Sequence, residues 1–206
     1  LRGRSAPLAI LRVGGRADGE PRFDAAARRR ALSRYVGREG EQAELAALAE
    51  RTAQGDPTAL IVMGEPGIGK TRLLEEFRAR LDPARFRVLH GFCENYLGAE
   101  PLQPFLQVVR EVLGWRPGAG LAQIEAAAND ALAVLGADPA GDLAALLQAV
   151  LPRRADAGAP VAPLPGSAIL ELLARVARQS TVVLMLDDWQ WADDASRHLL
   201  DEVLAR

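Results

Sequence analysis

The chain has 206 residues, 49% hydrophobic and 25% charged, with a formal net charge of −2. Those values suit one soluble globular domain, alone or with a short appendage, and exclude a disordered or collagen-like chain. One cysteine, Cys93, leaves no disulfide within the chain, and no apolar run reaches the ~20 residues that span a bilayer, so a reducing, cytoplasmic setting without membrane contact is expected.

In chain order, residues 1–13 read as a short, partly extended segment with Leu8, Ile10 and Leu11 apolar, and Gly14 to Pro21 as a linker. Opening on Leu1 without an initiator methionine, the chain reads as a fragment or processed piece. Residues 1–38 carry ten arginines against Asp18, Glu20 and Asp24, a net of +7 that leaves −9 for the rest. Only Arg28-Arg29-Arg30 is contiguous and lysine is absent there, which favours a solvated linker over a nucleic-acid arm.

Glu39 to Ala53 predicts a helix with Leu45, Leu48, Ala49 and Thr52 on one face, stopped by Gly55-Asp56-Pro57. Thr58 to Met63 is a short apolar, β-branched run of the kind that forms a fully buried parallel strand. A second helix is expected over Arg72 to Leu81, ended by Asp82-Pro83, and a second strand over Phe86 to Cys93. A helical region follows, with stripes at Phe105, Val108, Val109 and Val112, at Leu121, Ile124, Ala128, Leu132 and Leu135, and at Leu143, Leu146, Leu147 and Val150. Pro152 to Gly166 holds four prolines and reads as a loop. Ile169 to Ala177 predicts a helix, Thr181 to Asp188 a buried strand, and the last fourteen residues a helix. The order of elements implies an α/β fold, a parallel sheet flanked by helices with a helical insertion from about Pro101 to Gln179.

The string Gly64-Glu65-Pro66-Gly67-Ile68-Gly69-Lys70-Thr71 matches GxxxxGK[ST], between an apolar run and an amphipathic helix. Lys70 is the only lysine of the chain, whose other strong cations are all arginine. A compact ammonium suits the β/γ-phosphates of a nucleotide where a planar guanidinium fork does not. The glycines let backbone N–H groups converge on phosphate oxygens, the following helix, opening with Arg72, points its positive end at them, and the Thr71 hydroxyl is placed to ligate Mg²⁺. The run Val182-Val183-Leu184-Met185-Leu186-Asp187-Asp188 ends in acid, as the strand that supplies a metal-side carboxylate does. Asp187 is the candidate for that carboxylate, acting through water. Asp188 stands where a general base would orient attacking water, or else serves as a helix N-cap or hydrogen-bond anchor. Trp189 and Trp191 either stack on a base or pack under the sheet edge, Asp193 and Asp194 favour the start of the last helix, and His90 and His198 fit no metal-ligand spacing.

Tyr35-Val36-Gly37-Arg38-Glu39, the phosphate loop, and Leu186-Asp187-Asp188-Trp189-Gln190-Trp191-Ala192-Asp193 occur in that order. Together they resemble the AAA-related STAND class of P-loop ATPases, which includes large ATP-binding LuxR-type regulators and the ATPase modules fused to bacterial adenylyl cyclases. The resemblance covers residues 34–206. It implies ATP with Mg²⁺ as ligands, Val36, Gly37 and Arg38 toward the adenine, and LDD-x-[HQ]-WAD as the acidic strand motif, with Gln190 at the His/Gln place and an unusual Trp189. Leu1-Arg2-Gly3, Pro7 and Arg12-Val13 look like the closing strand of a class III cyclase domain, and Arg22-Phe23-Asp24-Ala25 like the linker of such fusions. Residues 1–33 are then a domain tail and linker, and 34–206 the N-terminal part of an ATPase domain.

The resemblance further implies a nucleotide-dependent regulatory switch in a multidomain bacterial signalling or transcription-regulatory protein. Its partners would be other domains of the same polypeptide (a cyclase or helix-turn-helix output, helical repeats), with oligomerisation allowed and no direct nucleic-acid binding by this segment. A complete core of this class has further strands bearing a polar sensor and an arginine contact. The chain ends at Arg206, one helix past Asp187, which puts hydrolysis in question and leaves three readings: a switch, a working ATPase, or a non-catalytic scaffold piece.

Overall fold

The computed structural model describes residues 35–94, 101–116, 118–137 and 166–205. The extended leader, the cyclase-like tail and linker, the stripe at Leu143 to Val150 and nearly all of the proline-rich loop lie outside the described residues.

Helix α1, Glu39–Ala53, follows the predicted bounds, and α2, Lys70–Arg80, starts directly at the lysine of the glycine-rich loop. Strand β1 is Phe86–Phe92, α3 is Gln103–Val112 and α4 is Leu121–Val134. Helix α5 spans Gly166–Ala177, three residues earlier at its start than its apolar stripe suggests. Strand β2, Thr181–Asp187, leads through a 3₁₀ turn, Trp189–Trp191, to α6, Asp194–Leu204.

β1 and β2 pair in parallel, Phe86 opposite Thr181 through Phe92 opposite Asp187, and the ladder extends by one bond from the Cys93 N–H to the Asp187 carbonyl at 3.0 Å. Parallel neighbours require a long crossover, and the helical region between them supplies it. Strand alternation then sorts side chains to two faces. Leu89, Val182, Leu184 and Leu186 face a core made with α3 to α6, where Phe105, Val108, Val109, Ile169 and Leu172 are fully buried. Phe86, Val88, Val183 and Met185 face a smaller core with Leu45 and Ala49 of α1 and Leu73 and Phe77 of α2. Each fully buried Leu, Ile, Val or Phe contributes about 1.5–3 kcal/mol, so the larger core dominates the stability of the fold.

Polar contacts fasten elements together within each half. Arg85 donates to both carboxylate oxygens of Glu50 at 2.9 and 2.7 Å, joining the end of α1 to the turn before β1. Arg175 Nη1 donates to the Gly136 carbonyl at 2.6 Å and Gln179 Nε2 to the Val134 carbonyl at 2.8 Å, which fasten the end of α4 to α5.

Two expectations are corrected. Thr58 to Met63 forms no ladder: Ile61 and Met63 are 82% and 85% exposed, and only Val62 packs, against the smaller core. A buried parallel strand needs a hydrogen-bonded neighbour and covered faces, and among the described residues β2 pairs only with β1. For the same reason β2 is a strand but only half-buried, with Met185 its one buried side chain. Among the described residues no helix is long and apolar enough to cross a membrane.

Candidate functional site

The glycine-rich loop closes on itself through an Ile68 N–H to Glu65 carbonyl bond of 3.3 Å. Gly67 (φ 81°) and Gly69 (φ 95°) hold left-handed backbone, and a Cβ on either would meet open space, so conformation and not room requires glycine there. Gly69 is the N-cap of α2 and offers no side-chain acceptor, so the first N–H groups of the helix stay available to an anion. Lys70 Nζ curls over the loop and donates to the Gly64 and Glu65 carbonyls at 2.9 and 3.1 Å. Pro66 and Gly67 form the turn between them.

Opposite the loop stands the end of β2. Alternation along the strand turns Asp187 to the same face as Val183 and Met185, the face covered by α2. Thr71 Oγ1 accordingly donates to Asp187 Oδ2 at 3.0 Å. The other oxygen, Oδ1, accepts the Asp188 N–H at 2.9 Å. Asp188 is left-handed (φ 54°), one of three described non-glycine residues with positive φ, and its carbonyl accepts the Trp191 N–H at 2.9 Å. It occupies the N-cap position of the 3₁₀ turn without a side-chain cap bond. Its carboxylate is held instead by Gln190, whose Nε2 donates to Oδ1 at 3.0 Å.

The segment preceding α1 reaches the same loop. Val36 is 80% exposed and Gly37 is left-handed. Arg38 Nη2 donates to the Ile68 carbonyl at 2.7 Å. Arg72 lies over the Tyr35 ring, 5.9 Å from its centroid, and ion-pairs with Glu76 at 2.5 Å. The structure thus brings Arg38, the loop, Lys70, Thr71, Asp187 and Asp188 to one end of the sheet.

The neighbouring residues are structural. Trp189 packs on the larger core and meets Phe105 edge to face at 6.5 Å, while Trp191 stays half exposed. Asp193 caps α6, accepting the Ser196 N–H at 2.9 Å and the Ser196 hydroxyl at 2.7 Å, and also accepts the Leu102 N–H at 3.2 Å. Burial alone would raise its carboxyl, but these hydrogen bonds outweigh burial and hold it below the ordinary aspartate value. Cys93 is buried, and burial with the Asp193 and Asp188 charges pushes its thiol up to about 11, which makes it an inert apolar side chain. His198 pairs with Glu202 on α6, away from any ligand set.

Sequence reasoning named Gln190 only as a motif position and missed Gln42. Gln190 falls within a motif that gave no reason for its amide. Gln42 is 4% exposed and donates from Nε2 to the Leu73 carbonyl at 2.9 Å. Its signal was an amide three and seven residues before Leu45 and Ala49, on the buried face of α1. A cavity of about 400 Å³ lined by Ala46, Phe77, Leu81 and Arg85 lies between α1 and α2 and touches none of Lys70, Thr71 or Asp187.

These donors fit a nucleoside triphosphate with Mg²⁺. Mg²⁺ is bound through one or two protein oxygens plus phosphates and water, so a hydroxyl beside a carboxylate is the right protein half-set. Among the described residues no group of three or more His, Cys, Asp or Glu is arranged to hold a metal by itself. Among the described residues the ammonium of Lys70 is held by neutral carbonyls, which phosphate oxygens would displace at a gain in charge pairing.

Residues 34–206 match the family model described as AAA ATPase domain. An uncharacterized protein of Rhizobium meliloti (strain 1021) is 29% identical over 208 residues, covering 98% of this chain. The chain spans only 20% of the length of that curated relative. No solved structure matches.

Proposed function

Because the chain belongs to the AAA ATPase domain family, with residues 34–206 inside the match, we propose that it is an ATP·Mg²⁺-binding regulatory module of a larger signalling polypeptide. The observation that carries the ligand assignment is the 3.0 Å contact of Thr71 with Asp187, which joins the loop helix to the acidic strand end. In this reading the loop amides and Lys70 hold the β- and γ-phosphates, Thr71 and Asp187 hold Mg²⁺, and Val36-Gly37-Arg38 border the base end. When bound, Mg²⁺ would neutralise phosphate charge between the two elements. Since Thr71 rides on α2 and Asp187 on β2, the ligand's presence biases their spacing, which is how a switch is made. A cytoplasmic, multidomain setting, with an output module elsewhere in the polypeptide and room for oligomerisation, is part of the proposal. The multidomain part is supported by the low share of the relative that this chain spans.

Titration with a fluorescent ATP analogue tests the reading. Binding that strengthens with Mg²⁺ and is lost in Lys70→Ala is expected; no binding, or equal binding by Lys70→Ala, overturns it and leaves the scaffold alternative. Turnover is a second reading, favoured by the Gln190 bond that orients the Asp188 carboxylate. Signalling lost in Asp188→Asn with ATP binding intact would assign turnover to the mechanism, and unchanged signalling would assign the switch alone.

A further inference from the structure

Three side chains ahead of and within α1 reach across to the phosphate loop and its helix. Tyr35 presents its ring to Arg72, Arg38 donates to the Ile68 carbonyl at 2.7 Å, and the buried Gln42 donates to the Leu73 carbonyl at 2.9 Å. Gln42 is itself fixed to Arg38 by its backbone N–H, which donates to the Arg38 carbonyl at 3.0 Å. The contacts form one clasp between two chain segments about thirty residues apart.

The middle contact falls on a special peptide unit. The Ile68 carbonyl and the Gly69 N–H belong to one planar trans amide and point in opposite directions. This unit turns on the ψ of Ile68 and the φ of Gly69, and the glycine, at φ 95°, leaves it freer to rotate on that side. Whatever holds the Ile68 carbonyl therefore aims the Gly69 N–H. Within the loop, Lys70 donates to the Gly64 and Glu65 carbonyls and not to that of Ile68. Arg38 does so from outside, from a backbone fixed in the left-handed region (φ 61°) that long side chains seldom adopt.

We infer that Arg38 is a positioning residue, whose guanidinium holds the phosphate loop through the Ile68 carbonyl instead of reading the base. The effect on the loop stands without any nucleotide. The effect on affinity rests on the phosphate-site reading above.

The lone lysine supplies the test. Lysyl endopeptidase has one target bond in this sequence, after Lys70, so its cleavage rate reports opening of the loop and the first turn of α2. Arg38→Asn and Arg38→Gly both accept left-handed backbone and cannot reach Ile68, while Arg38→Lys keeps a charged donor. In nucleotide-free protein, cleavage is expected to speed up about threefold to tenfold in the Asn and Gly variants, at unchanged Tm, and to recover most of the way in Arg38→Lys. Unchanged cleavage in both removal variants overturns the inference.

Calorimetry with Mg²⁺ and either ATP or inorganic triphosphate forms the second arm. Equal fold-losses of affinity for both ligands are expected in Arg38→Asn. A loss for ATP with triphosphate unaffected returns Arg38 to the base and overturns the inference. If the unaltered protein binds neither ligand, the phosphate-site reading falls, and cleavage alone decides whether Arg38 holds the loop.

Discussion

Thr71 and Asp187 are 116 residues apart in sequence and meet hydroxyl to carboxylate at 3.0 Å. Neither position is free to be elsewhere. Thr71 is in the first turn of a helix whose N-cap is a left-handed glycine, and Asp187 is the last residue of a strand whose alternation turns it toward that helix. The pair joins the glycine-rich loop's helix to an acidic strand end, and among the described residues no group of three His, Cys, Asp or Glu surrounds it.

Removing the hydroxyl should therefore uncouple ATP binding from Mg²⁺. Thr71→Ala is expected to weaken Mg²⁺-ATP binding about tenfold, the value of one charge-assisted hydrogen bond or ligand, while Thr71→Ser stays near the unaltered affinity. In chelator the variants and the unaltered protein should converge. Fluorescent ATP-analogue titrations at several Mg²⁺ concentrations measure this.

If the module turns ATP over, Asp188→Asn should lower kcat by about 10²–10⁴ with ATP affinity preserved. Gln190→Ala should lower kcat about threefold to tenfold with KM unchanged, because it frees the orientation of the carboxylate without touching the phosphate site. Steady-state phosphate release checks both. Equal kcat in all three proteins would show that Asp188 serves only as an anchor.

Two glycines should respond oppositely to alanine. A Cβ on Gly91 would lie 2.3 Å from the Pro104 carbonyl oxygen of α3, so β1 and α3 must separate, and Gly91→Ala should cost about 3 kcal/mol or more. Gly40 lies within α1, where an added Cβ would meet nothing within 4 Å, and Gly40→Ala should stabilise by about 0.5–1 kcal/mol. Urea unfolding of the two variants reads the sign directly.

Acid should loosen the start of α6. The Asp193 carboxyl is held below its ordinary value in the folded state by Ser196 and Leu102. Its contribution is thus full above the unfolded-state value, about pH 4, and is lost as pH falls through the lower folded value. Asp193→Ala should cost about 1–2 kcal/mol at neutral pH, and the difference from the unaltered protein should shrink below about pH 4. Thermal melts across about pH 2.5–7 test this; a difference independent of pH would mean the cap bonds contribute nothing.

Local chemistry in the sequence was enough to determine the helices of the described residues, the glycine-rich turn and the acidic strand end. Glu39–Ala53 carries its own apolar spacing and stop signals, and Gly67 and Gly69 announce left-handed backbone because few other residues tolerate it. The same local information failed at Thr58 to Met63. An apolar run says that a segment can be buried, whereas its burial depends on neighbours that sequence periodicity does not describe. Only the tertiary structure decided that Asp187 faces Thr71 and that Arg38 turns its guanidinium to the Ile68 carbonyl. Those are contacts of a few ångströms between residues set by separate elements, and they follow from strand register and helix packing, which no single stretch of chain contains.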